Sequence, residues 1–455
     1  GIAYAKGMQS QNVLACAKHF PGHGDTGTDS HLDLPIIRHS KERLEEIELY
    51  PFEELIAQNV GGIMIAHLSI PALDSTKNQP STLSKPIVTD LLKKEMGFEG
   101  LIFTDALNMK GVTKYYEKGE VDLKALLAGN DVLLFSEDVP KAIAEIQKAV
   151  AQNKISQAEI DAHCKKILAT KYWVGLNKYK PIELKNLTKD LNNPFADLIN
   201  RELSKESLTV LRNQKLHIPI RDLDKKTIAT LAINADTLTD FQQMAANYSQ
   251  VKHFYLSSKS SSEDAKLVYD SLQKYDLWLV GIHQTSHRPY KNFKITDTLK
   301  SIVNTIAKSE KAIINFFGNA YSIDQFEGLN ETKSLTLAYQ NSKYAQEYTA
   351  QLLFGAVGAN GKLPVTVNNY FVAEDGLAIN PIQRLAYDIP ESMGVNSQIL
   401  QKIDEVVLEG LNANAFPACE ILVVKNNTVI FNKAYGYQTY DKLIKTQKNN
   451  LYDLA

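Results

Sequence analysis

Along the first 180 residues, short apolar runs alternate with stretches whose apolar positions recur every three or four residues. The short runs suit buried strands and the longer stretches suit helices packed on them, so the pattern predicts βα units and a parallel sheet. Strands are expected at 13–17, 62–66, 101–104 and 131–135. Ser84 is placed to cap a helix that includes Val88, Leu91 and Leu92, with Pro86 in its first turn and Gly97 at its close. Ile143, Ile146 and Val150 mark a helix over 141–150, and Ile160, Cys164, Ile167 and Leu168 mark another over 157–172.

Each expected strand opens into a polar loop. His19, His23, Asp25, Asp29, His31 and Asp33 follow the first, His67 the second, Asp105 and Asn108 the third, and Ser136 and Glu137 the fourth. Polar residues gathered at the carboxyl ends of parallel strands mark the active face of a barrel or an open α/β sheet. Four βα units are half of a (β/α)8 barrel, which typically needs about 250 residues. The expectation is a chain that starts in mid-domain.

Residues 181–200 are polar, weakly periodic and rich in Asn and Pro, as a linker would be. A second α/β pattern covers 201–372, with strands expected at 208–211, 228–233, 277–281, 312–317 and 335–338. It has no metal-type spacing and no Walker-type phosphate loop, and suits a scaffold or lid. From 388 the pattern changes again, with a helix over 397–411 and a hairpin of 420–425 and 428–432 turning at Asn426-Asn427. The expectation for this last stretch, up to Ala455, is the beginning of a third domain.

The 455 residues therefore divide into two to four domains. A formal charge of −2 offers no general attraction for nucleic acid or an anionic membrane, and no apolar run reaches the length of a membrane span. Cys16, Cys164 and Cys419 are odd in number and widely spaced, which suits buried thiols better than a disulfide framework. The chain begins at Gly1 without a leader pattern, so compartment and oligomeric state stay open.

The loop after the first run carries the candidate chemistry. An imidazole titrates near neutrality and a nearby carboxylate favours its protonated form, so Asp29-Ser30-His31 could supply a general acid and base. The plainer alternative is that Asp29 caps a turn and His31 is a solvated loop residue. Asp105, at the end of its strand, could attack an electrophilic carbon, or could cap the helix that follows. Lys18 and His19 can both serve a ligand only if the strand end is irregular, which Phe20-Pro21-Gly22 suggests; otherwise they are a Lys packed along its stem and a His satisfied in the core. His19, His23, Asp29 and His31 also permit a zinc or iron reading, although their spacing matches no standard zinc signature.

Two motifs carry a family likeness. Lys18-His19-Phe20-Pro21-Gly22-His23-Gly24-Asp25-Thr26 with Asp29-Ser30-His31, and Thr104-Asp105-Ala106-Leu107-Asn108-Met109-Lys110-Gly111, resemble the β-N-acetylglucosaminidase (β-hexosaminidase) branch of glycoside hydrolase family 3. Ala128-Gly129-Asn130-Asp131-Val132-Leu133-Leu134 is similar to its last barrel strand, and Gly361-Lys362-Leu363-Pro364-Val365 resembles the close of its α/β-sandwich domain. The likeness implies the C-terminal half of a (β/α)8 barrel over 1–180, then an α/β sandwich over 201–372. It also implies Asp105 as nucleophile, His31 as acid/base with Asp29 as its partner, Lys18 and His19 as sugar-binding residues, and no metal or cofactor. The implied substrate is a carbohydrate bearing terminal N-acetylglucosamine, as in the peptidoglycan fragments of bacteria. The family's earlier strands carry an Asp and an Arg that hold the sugar, and their counterparts would precede Gly1. The stretch 388–455, ending Leu451-Tyr452-Asp453-Leu454-Ala455, resembles the start of a serine β-lactamase-like domain, short of its Ser-x-x-Lys nucleophile. The competing readings are a metal-dependent hydrolase built on His19, His23 and His31, and a non-catalytic glycan-binding remnant.

Overall fold

The computed structural model describes residues 1–27, 33–448 and 450–452, and the chain separates into two compact units, Gly1–Ile182 and Glu183–Ala455.

In the first unit, β1 (Cys16–Phe20), β2 (Gly62–Ile65) and β3 (Leu101–Thr104) form a parallel sheet in the order β1-β2-β3. Phe20, Ile63, Ile65 and Ile102 pack against Phe52, Val88 and Leu92 from the neighbouring helices Tyr50–Ala57 and Pro86–Glu95. Each such side chain, fully buried, contributes about 1.5–3 kcal/mol. Ser84 Oγ accepts from the Ile87 amide at 3.3 Å, and Gly97 takes φ +68° beyond the helix, as the sequence suggested. The helix Gln157–Trp173 starts on a capping box in which Ser156 and Glu159 satisfy each other's backbone amides.

The expected fourth strand at 131–135 is corrected to a single parallel bridge, Phe103 to Val132. The Asp131 carboxylate explains the shortfall. Its Oδ2 accepts from the Ile102 amide at 2.9 Å and from Lys166 Nζ at 2.8 Å, and its Oδ1 accepts from His163 Nδ1 at 2.6 Å. The carboxylate thus takes the Ile102 amide that a longer ladder would use, backbone bonds join the segment to β3 only around Val132, and at Phe135 the backbone turns to φ +50°. Burial raises the Asp131 carboxyl, but its hydrogen bonds to His163 and Lys166 outweigh that and hold it below the ordinary range.

The second unit is built on a six-stranded sheet of β4 (Thr209–Asn213), β5 (Ile228–Ile233), β6 (Val251–Leu256), β7 (Leu277–Ile282), β8 (Ala312–Phe316) and β9 (Ser334–Leu337), ordered β4-β9-β8-β7-β5-β6. Only β4 runs antiparallel to its neighbour. Separate apolar cores lie on the two faces, one around Trp278 and Phe316 and the other around Phe241 and Phe354. β6 escaped the sequence pattern because it is an edge strand, half exposed, with Lys252 and His253 among its residues.

Part of the expected linker is ordered. Asn193 Oδ1 accepts from the Ala196 amide at 3.0 Å, Pro194 occupies the first turn, and a helix runs Pro194–Glu206. Its Arg201 is buried and lies 3.2 Å from Asp197, 3.2 Å from Glu347 and 3.6 Å from Asp388. Tyr348 donates its hydroxyl to Asp388 at 2.7 Å. Beyond Asp388, β11 (Ala418–Lys425) and β12 (Thr428–Gly436) form the hairpin, with Asn426 and Asn427 both at positive φ, and β10 (Ala386–Tyr387) pairs parallel to β12. All three cysteines are free. The expectation of buried thiols is corrected for Cys16 and Cys164, which are exposed, and Cys419 is half-buried.

Candidate active site

β1 brings Lys18 and His19 to its carboxyl end. The register against β2 slips between Ala17 and Phe20, so the alternation of the strand breaks where the sequence placed the irregularity. The Lys18–His19 and Phe20–Pro21 peptides are cis. Phe20 anchors this end, fully buried and edge-on to Phe52 at 5.2 Å between ring centroids. The His19 carbonyl then accepts from the Gly22 and His23 amides at 2.9 and 3.1 Å, turning the chain back. Gly22 sits at φ +133° with Glu48 packed against it, and a Cβ there would lie 2.4 Å from the Glu48 Cβ, so the turn admits only glycine. Lys18, His19 and His23 line a cavity of about 310 Å³ together with Glu48 and Phe52.

Asp105 follows β3, and its amide donates to the Ile65 carbonyl of β2 at 3.0 Å. Its Oδ1 accepts from the next amide, Ala106, at 2.8 Å, while its Oδ2 lies 3.9 Å from His19 Nε2. Asp105 does not cap the following helix, Lys110–Thr113, whose N-cap is Met109. The carboxylate is therefore oriented by its own backbone and keeps one oxygen for a reacting partner. Both side chains remain partly open, 27% for His19 and 22% for Asp105.

Between them, after β2, stands His67, which the sequence showed only as a polar residue at a strand end. It is buried, and burial pushes its pKa down, so the imidazole is neutral. Its Nε2–H donates to the Ala106 carbonyl at 3.0 Å, which fixes the tautomer, and its Nδ1 accepts from the Thr82 hydroxyl at 2.7 Å. The Ala66 carbonyl lies 2.7 Å from Thr82 Oγ1 but is served by Ser81 Oγ at 2.5 Å. His67 thus holds the peptide next to the Asp105 carboxylate. Burial also lowers the pKa of His19, opposed by the charge of Asp105 and reinforced by Lys18 and His23.

Other members of the loop have local partners. Asp25 Oδ2 meets His39 Nε2 at 2.6 Å, and Thr26 Oγ1 lies 3.4 Å from His23 Nδ1. Asp33 accepts from Lys114 Nζ at 3.0 Å and from the Tyr115 hydroxyl at 3.3 Å, which ties the far end of the loop to the segment after Asp105. Asp29 and His31 lie outside the described residues. Among the described residues, no group of three His, Cys, Asp or Glu side chains could hold a metal ion, and no helix is long and apolar enough to cross a membrane.

The family model described as "Glycosyl hydrolase family 3 N terminal domain" matches residues 1–170. Beta-hexosaminidase A of Pseudoalteromonas piscicida is 26% identical over 414 residues, covering 81% of this chain and 68% of that one. A beta-hexosaminidase of Methylococcus capsulatus is 38% identical over 154 residues, 34% of this chain and 45% of that one, so the chain spans less than half of this relative. Among solved structures, a glycoside hydrolase family 3 beta-N-acetylglucosaminidase from Paenibacillus superposes with a TM-score of 0.64 at 26% identity, covering 81% of this chain and 70% of that one. The family match and the β-hexosaminidase relatives together support a glycoside hydrolase enzyme.

Proposed function

We propose that this chain, whose residues 1–170 match the model of the glycosyl hydrolase family 3 N-terminal domain, belongs to a retaining exo-β-N-acetylhexosaminidase that releases terminal N-acetylglucosamine, as from peptidoglycan-derived glycosides. Asp105 is the nucleophile. Its carboxylate attacks the anomeric carbon and the bond to the leaving oxygen breaks, giving a covalent glycosyl-enzyme. His31, with Asp29 as its partner, donates a proton to the departing oxygen and then takes one from the incoming water. Lys18 and His19 hold the sugar. The domain reading that accompanies this is half of a (β/α)8 barrel over 1–180, a linker over 181–200, an α/β sandwich over 201–372 and the start of a serine β-lactamase-like domain over 388–455.

One observation carries the reading. The Asp105 carboxylate sits at the carboxyl end of a parallel strand, with Oδ1 occupied by the Ala106 amide and Oδ2 on the side of His19. Asp131, buried and structural, has both oxygens paired instead. The test is release of p-nitrophenol from p-nitrophenyl N-acetyl-β-glucosaminide by the full-length protein, beside Asp105→Ala and His31→Ala. Turnover in the wild type and its loss in both variants is expected; variants as active as the wild type would overturn the assignment. Labelling of Asp105 by a slow-reacting fluoro-sugar would identify the covalent step.

A further inference from the structure

The second unit has a cavity of its own, about 590 Å³, lined by residues that follow the carboxyl ends of three adjacent parallel strands: Thr285 after β7, Asn319 after β8 and Asn341 after β9. In open α/β sheets this edge is where ligands are taken up, because side chains from successive loops converge there. No Lys, Arg, Asp or Glu lines the cavity; His287 is the one imidazole in its wall, which also includes Tyr321, Tyr339 and Gln340.

The polar groups are set in one sense. Asn341 Oδ1 accepts from His283 Nδ1 at 2.8 Å, and Asn319 Oδ1 accepts from the Tyr321 amide at 2.9 Å. With both amide oxygens used by the protein, both NH₂ groups remain as donors, and neither makes a hydrogen bond among the described residues. Thr285 Oγ1 is buried and has no hydrogen-bond partner there either. It packs over Gly318, where a Cβ would come within 2.2 Å of it, so the glycine makes room for the hydroxyl.

His283 is the fixed point behind this wall. It is buried, stacked on Phe317 with centroids 4.8 Å apart, and its carbonyl accepts from Asn234 Nδ2 at 3.0 Å. Burial drops its pKa to about 4, so the ring is neutral and its single N–H is committed to Asn341. A locked imidazole thus holds the amide in one orientation before any ligand arrives.

Uncharged donors beside exposed aromatic surface complement the acceptor oxygens and apolar ring face of a sugar, and offer an anion no permanent countercharge. We propose that this cavity binds a neutral polyhydroxylated ligand, a pyranose ring, through Asn319, Asn341 and Thr285, with Tyr321 against the ring face. The inference concerns the second unit alone and does not depend on the chemistry assigned to Asp105.

The test is a methyl-NMR titration of the full chain carrying Asp105→Ala, which removes turnover, with N-acetylglucosamine, glucose and inorganic phosphate as probes. The Thr285 and Val365 methyls should shift saturably with the sugars. Asn341→Ala should weaken that binding about tenfold, the effect of losing one donor and stranding its partner. Unchanged Leu231 and Val280 methyl positions would show that the sheet is intact. The proposal fails if no sugar shifts these methyls, if phosphate alone does, or if neither Asn341→Ala nor Asn319→Ala alters the titration. Sugar binding here without p-nitrophenol release by the wild type would sink the hydrolase reading and leave this one standing.

Discussion

His19 Nε2 and Asp105 Oδ2 face each other at 3.9 Å across the carboxyl end of a three-stranded parallel sheet, with the strand that bears His67 between them. The distance is too long for a hydrogen bond and short enough for each charge state to be felt by the other. Three predictions follow from how these groups and their supports are held, and a fourth from His283 in the second unit.

Replacing Asp105 with Asn keeps its size and an oxygen for the Ala106 amide, but removes the carboxylate proposed as nucleophile. Turnover of p-nitrophenyl N-acetyl-β-glucosaminide should fall by roughly 10⁴-fold with the far-UV circular dichroism unchanged. A loss of less than tenfold in steady-state kcat would mean another group attacks the sugar.

The same substitution should move His19. Burial lowers its pKa and the Asp105 carboxylate raises it, so deleting the carboxylate should lower the pKa further. Imidazole NMR titration of wild type and Asp105→Asn measures this directly. An upward shift would contradict the contact.

His67→Phe retains the ring volume but loses the hydrogen bond to the Ala106 carbonyl. If His67 positions Asp105, kcat should drop about tenfold while KM changes little, since a misplaced nucleophile affects the reaction more than sugar binding. Equal effects on both constants would assign His67 a merely structural role.

Acid should weaken the second unit through His283. Its folded pKa, about 4, lies below the ordinary value of 6.5, so the neutral ring stabilises the fold fully above that value, and this contribution is lost as pH falls toward 4. The span corresponds to about 3 kcal/mol. Urea denaturation followed by Trp278, buried in β7, should show a midpoint that falls between pH 7 and 4.5 in a Trp173→Phe background. In His283→Leu the midpoint should be lower at pH 7 and flatter with pH.

Much of this was readable from side-chain pattern. Runs buried on both faces, such as Ile228–Ile233 and Leu277–Ile282, announce themselves because nothing polar interrupts them. Val251–Leu256 does not, because an edge strand tolerates Lys252 and His253. The stretch 131–135 looks like a strand by composition, but its carboxylate has partners far along the chain, and Lys166 and His163 come into view only when the helix Gln157–Trp173 folds back. At the site, Asp105 and His19 stood out as polar groups at strand ends, each with a structural alternative, a helix cap or a core histidine, that only the fold decides. His67 was missed as a contributor because its meaning lies in what its Nε2 touches, the carbonyl of Ala106, 39 residues away in sequence.

The bonds around Arg201 bear on how this polypeptide can be dissected. A stop codon placed just ahead of Asp388, where the sequence changes character, would strip the guanidinium of one counterion and the Tyr348 hydroxyl of its acceptor. It would also leave the Ala386–Tyr387 backbone without the strand it pairs with. A gene fragment ending well past Thr428 is the better route to a soluble excised piece, since it keeps Asp388 for Arg201 and Tyr348 and keeps the strand with which Ala386–Tyr387 pairs.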